Sequence, residues 1–109
     1  MIKITIYKNS KGSFAGLKSL GHAGYADMGY DIICSAVSAL VINTINSIEA
    51  FTEDRLKIKT DEEKGMIEFK FVDDISENST LLMKALELGL QGIERDYNDG
   101  YIRIKFKEV

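Results

Sequence analysis

Proline is absent from this chain, and cysteine and histidine occur once each, as Cys34 and His22. One cysteine excludes an internal disulfide. One thiol and one imidazole fall short of the ligand spacings of zinc sites, so no metal is expected. No Gly-rich phosphate loop follows a strand-like segment, and no cofactor is expected. Internal repeats, low-complexity tracts and linkers are missing, as is a signal-peptide pattern, and no apolar run reads as long enough to span a bilayer. Positive charge is not in excess: 14 Lys and Arg face 17 Asp and Glu, giving a net charge of -3 and a pI near 5.1. That balance argues against a nucleic-acid surface, although local basic patches stay open. Neither nucleic acid nor a membrane is therefore expected as a partner, and a reducing cytoplasm is the expected location. The missing proline carries no functional signal.

What is present is an ordinary globular composition, 45% apolar and 28% charged, over a length that suits one domain of residues 1–109. Ile2, Ile4 and Ile6 alternate with Lys3, Thr5 and Tyr7, the period-two pattern of a half-buried strand. A turn through Asn9 to Gly12 leads to a second strand that ends near His22. From Asp31 to about Phe51, Ile33, Val37, Leu40, Val41, Thr44, Ile45 and Ile48 recur at helical spacing. Two more alternating segments, around Leu56–Ile58 and Met66–Phe71, read as a hairpin closed by an acidic turn through Gly65. A second helix follows, capped by Ser76 or Asn78, with Leu82, Ala85, Leu86, Leu90 and Ile93 on one stripe. Its Gly89 and Gly92 suggest close packing. Asn98 to Gly100 turn the chain into a last strand, Tyr101 to Lys107. The expected fold is α+β, a mostly antiparallel sheet of about five strands with both helices on one face, in the order ββαββαβ. Strand order is not legible.

Cys34 and His22 lie in the stretch GHAGYADMGYDIICSAVS, from Gly21 to Ser38. With Asp31 read as helix N-cap, Cys34 would be the third helical residue, where the dipole and free N–H groups favour a thiolate. His22 sits where a strand feeds a Gly-containing loop that can bring the imidazole to the sulfur, and a Cys–His dyad is the functional reading. The plain reading makes Cys34 a small core hydrophobe and His22 an ordinary histidine. Asp31 either caps the helix or orients His22, with Asp27 a weaker orienter. Gly24, Tyr25, Met28, Gly29 and Tyr30 form a candidate substrate loop, expected to be mobile when empty. Ser38, one turn after Cys34, is a candidate supporting residue.

Gly21-His22-Ala23, a short Gly-containing loop, and Gly29-Tyr30-Asp31-Ile32-Ile33-Cys34-Ser35-Ala36-Val37-Ser38 together resemble the bacterial ribosomal-processing cysteine protease family, Prp. The resemblance extends to chain length, element order and a late patch, Gln91-Gly92-Ile93-Glu94. Ser35 stands where the family often has Ala, and Ile33 where Val is common. Neither departure touches the dyad. The resemblance implies a cysteine endopeptidase that removes a short N-terminal extension from ribosomal protein twenty-seven of the large subunit. It maps the nucleophile onto Cys34 and the base onto His22, and it implies a homodimer. The competing expectations are a non-enzymatic ribosome-associated or peptide-binding module, and a redox or acyl-carrier thiol.

Overall fold

The structure is a computed structural model that describes residues 1–21, 28–97 and 100–109, of residues 28–31 the backbone only. Seven elements follow in the expected order: β1 (Ile2–Lys8), β2 (Phe14–Leu20), α1 (Met28–Phe51), β3 (Leu56–Asp61), β4 (Met66–Phe71), α2 (Glu77–Asp96) and β5 (Ile102–Glu108). The five strands form one sheet in the order β3-β4-β2-β1-β5. Every pairing is antiparallel except β1 with β5, which run parallel with Ile2 beside Ile102 and Ile6 beside Phe106.

The period-two pattern of β1 decides which face is dry. Ile2, Ile4 and Ile6 are at most 2% exposed and share one core with Leu17 of β2 and Phe69 of β4. Ile33, Val37, Val41, Ile45 and Ile48 of α1 and Met83, Leu86 and Leu90 of α2 close the core over them, so both helices lie on one face. Each fully buried Ile or Leu contributes about 1.5–3 kcal/mol, which makes this stripe-to-face match the main source of stability. At Gly89 an added Cβ would lie 3.1 Å from Leu40 of α1, the close helix approach expected there. Gly92 differs: its nearest neighbour would be the Arg95 guanidinium at 3.7 Å, so no tight packing uses it.

Two features depart from the sequence expectation. Residues Ile32–Phe51 are long and apolar enough, with mean hydropathy 1.5, to cross a membrane by length and composition. Their buried stripe is the one the sheet requires, so core packing accounts for much of that apolarity. Second, α1 begins at Met28, three residues before Asp31. Met28, Gly29 and Tyr30 therefore belong to the helix rather than to a loop.

The start of α2 follows expectation and carries a prediction. Ser76 is the N-cap, its side chain accepting from the Ser79 backbone N–H at 3.2 Å. The same hydroxyl donates to Asp54 Oδ2 at 2.6 Å, and the Ser76 backbone N–H donates to that oxygen at 3.0 Å. Bonds from the Ser76 hydroxyl first, and then from Ser79, hold the Asp54 carboxyl below its ordinary value. Asp54→Ala should cost about 1–2 kcal/mol near neutral pH, the scale of a lost charge-assisted hydrogen bond. Because the folded pKa is the lower one, this contribution is complete above the unfolded value of about 4 and disappears as pH falls through the folded value. Urea denaturation of both proteins should show a gap at pH 7 that closes in acid. A gap that persists undiminished would contradict this account.

Candidate active site

Three elements enclose a cavity of about 410 Å³: the end of β2, one side of α1, and the β3–β4 hairpin. This is within the size range of small-ligand and peptide-side-chain pockets, about 300–1,000 Å³. Ile2, Val37, Met66 and Ile67 give it an apolar floor, and Ser19, Ser38, Thr60, Asp61 and Glu62 supply its polar groups. Cys34 opens into it. The cysteine is half-buried, packed partly against the core, and Ser38 lies one helical turn further on the same side, exposed.

Backbone contacts hold the walls together. The Gly21 N–H donates to the Gly65 carbonyl at 3.2 Å, tying the exit of β2 to the hairpin tip. Gly65 takes φ +59 in that turn, its N–H donating to the Glu62 carbonyl at 3.2 Å, while Asp61 Oδ1 accepts from the Lys64 N–H at 3.3 Å. Gly21 itself has φ +143, and a Cβ there would sit 2.7 Å from the Met1 carbonyl oxygen and 3.0 Å from Ile2 Cα. Only glycine lets the chain leave β2 so close to the start of β1.

Of the residues singled out in the sequence, the fold brings Cys34 and Ser38 to one cavity, together with Gly21, the residue before His22. His22, Gly24, Tyr25 and Asp27 lie outside the described residues. Met28, Gly29, Tyr30 and Asp31 form the first four positions of α1. The N-cap reading of Asp31 is thereby corrected: a cap flanks the helix, whereas Asp31 stands inside it. Cys34 is correspondingly the seventh residue of α1, not the third. Its backbone N–H falls at a position that the helix pairs with the carbonyl four residues earlier, and the dipole effect concentrated in the first turn is weaker there. The free N–H groups expected beside Cys34 therefore belong to the first turn of α1, ahead of it. Sequence reasoning missed Thr60, Asp61, Glu62 and Met66 as cavity residues, because their approach to Cys34 depends on β4 pairing with β2.

Comparison with known proteins decides the family. The family model described as cysteine protease Prp matches residues 1–103. The chain belongs to the Prp family of cysteine proteases. A ribosomal processing cysteine protease Prp from Staphylococcus aureus is 31% identical over 107 residues, covering 98% of this chain and 100% of the relative. Its counterpart from Bacillus subtilis is 27% identical over 103 residues, 91% of this chain and 92% of the relative. A crystal structure of the S. aureus Prp protease with a substrate peptide superposes with a TM-score of 0.90 at 30% identity, covering 98% of this chain and 100% of that one. A second, with a covalently linked product peptide, gives 0.86 at 31% with the same coverage. Cys34, the one cysteine of the chain, lines the cavity described above.

Proposed function

We propose that residues 1–109 form one ribosomal-processing endopeptidase domain that removes the N-terminal extension of ribosomal protein twenty-seven of the large subunit, with Cys34 as nucleophile and His22 as base. The observation that carries the reading is the 410 Å³ cavity into which Cys34 opens, in a chain whose relatives are described as ribosomal processing cysteine proteases. The S. aureus structure with a covalently linked product peptide supports covalent chemistry of this kind.

In this mechanism His22 takes the Cys34 proton, and the thiolate attacks the scissile carbonyl to form a tetrahedral intermediate. His22 returns the proton to the leaving amine, and water then hydrolyses the thioacyl-enzyme. Asp31 orients His22, the alternative left once its capping role is removed. Gly24, Tyr25, Met28, Gly29 and Tyr30 contact the peptide, and Ser38 supports the site from the next turn of α1. The apolar floor suits an aliphatic or aromatic side chain of the substrate. The enzyme works in the cytoplasm, without metal or cofactor, as a homodimer.

The test incubates the protein with a peptide spanning that N-terminal extension and reads products by mass spectrometry. A single cut is expected. Binding without any cut would favour a peptide-docking module, and absence of both would remove this substrate. Asp31→Asn separates orientation from mere helix support: turnover should fall about 10²–10⁴-fold with an unchanged melting temperature.

A further inference from the structure

The face of the sheet opposite the helices carries a concentration of positive charge that the net charge conceals. Since Ile2, Ile4 and Ile6 point into the core, Lys3, Thr5 and Tyr7 point the other way, and the strand register extends that face across the sheet. Lys3 pairs with Arg103, Thr5 with Lys18 and Lys105, and Tyr7 with Lys107. Lys18 pairs with Glu68 of β4, Gly16 with Lys70, and β3 adds Lys57 opposite Lys70 and Lys59 opposite Glu68. Eight of the chain's 14 cations therefore share one uncovered face with two of its 17 acids, Asp61 and Glu68, a formal +6 on a molecule of net charge -3. All eight are exposed except Lys18, which is half-buried.

Three observations separate this array from an ordinary solvated surface. The ion pairs described, Lys8 with Glu87, Arg55 with Asp73 and Arg95 with Asp96, use none of the eight cations. Glu68, the acid at the centre, already accepts a hydrogen bond from the Tyr7 hydroxyl at 2.7 Å. Lys57 stands directly opposite Lys70, and Lys3 opposite Arg103, although like charges in such positions cost stability. Lysines on the edge strands β3 and β5 discourage edge-to-edge aggregation. That purpose does not account for Lys3, Lys18 and Lys70, which lie on the three inner strands. Lys57, Lys59, Lys70 and Glu68 also line a small hollow of about 90 Å³.

We infer that this open sheet face docks the phosphate backbone of structured RNA, on the side of the sheet away from the two helices and the cysteine of α1. Cations on one strand repeat every ~6.8 Å and the five strands span about 19 Å, so a flat lattice of charge meets a polyanion at several phosphates at once. No strand residue on this face is a large exposed hydrophobe, which removes the apolar insertion that binding to a membrane surface uses. The choice of RNA as the polyanion rests on the ribosomal reading above; the charge array does not.

The experiment measures fluorescence anisotropy of a labelled RNA hairpin, with a stem of about 16 base pairs, from about 50 to 200 mM salt. It compares the wild type with the triple variant Lys57→Glu, Lys70→Glu, Lys105→Glu and with the same three positions changed to Arg. The Glu variant should bind at least about tenfold more weakly, and its slope of log affinity against log salt should be shallower by about three, roughly one per phosphate contact removed. The Arg variant should keep wild-type affinity. Peptide cleavage should be equal in all three proteins, so failure of the protease reading shows there and failure of the RNA reading shows in the anisotropy. Thermal melts check folding, with Gln replacing Glu should the charge-reversed protein melt early. Equal RNA binding by the wild-type and Glu proteins, or tighter binding to vesicles of anionic lipid or to an acidic peptide than to RNA, would overturn the inference.

Discussion

Cys34→Ala is expected to abolish peptide hydrolysis, a loss of at least about 10⁴-fold in kcat, while peptide binding and the fold survive. The expectation rests on placement. Cys34 is half-buried, packed against the core and lining the 410 Å³ cavity. Replacing it by Ala deletes one atom at a wall that is already open, leaving no sealed void, so the stability cost should stay below about 1 kcal/mol. A large loss of turnover beside a small change in melting temperature separates a nucleophile from a packing residue. Single-turnover cleavage and calorimetry on the same preparation make the measurement. Turnover retained by the Ala protein would refute Cys34 as nucleophile and move the search to Ser38, the hydroxyl on the next turn of the same helix side.

Gly21→Ala should be the most damaging single-methyl addition near the site. The new Cβ would meet the Met1 carbonyl oxygen at 2.7 Å and Ile2 Cα at 3.0 Å, both backbone atoms that cannot rotate away. The φ of +143 adds strain that a side chain rarely tolerates. Relief requires separating the exit of β2 from the start of β1, which breaks the N–H bond from Gly21 to the Gly65 carbonyl and shifts the hairpin wall of the cavity. A cost of about 2–4 kcal/mol follows, lowering the melting temperature by roughly 10 °C or more, together with a fall in kcat/KM. Gly12→Ala is the control: φ is +80, yet nothing lies within 4 Å of the added carbon, so backbone strain alone, about 1 kcal/mol, should remain. Equal melting temperatures for the two variants would show that the close approach at Gly21 carries no energy.

The elements were legible because each pattern is local. Alternation of Ile2, Ile4 and Ile6, the helical stripe from Ile33 to Ile48 and the Ser76 cap all arise within one segment, and the structure keeps them. The start of α1 was less so. Asp31 is a good capping residue, but Met28 and Tyr30 tolerate helix as readily as loop, and the helix extends three residues past it. Gly89 and Gly92 look alike in sequence, and only packing distinguishes them, since one faces Leu40 and the other only the Arg95 side chain.

By itself the sequence determined the fold class, the element order and the motif around the lone cysteine, because short-range periodicity and residue chemistry are written one segment at a time. Tertiary structure alone decided that β5 runs parallel beside β1 and that β4 pairs with β2. Those pairings set the β3–β4 hairpin against Cys34 and gather cations from all five strands onto one face. Both results depend on contacts between residues far apart in the chain, and a net charge of -3 sums over positions without recording which side of the sheet each one takes.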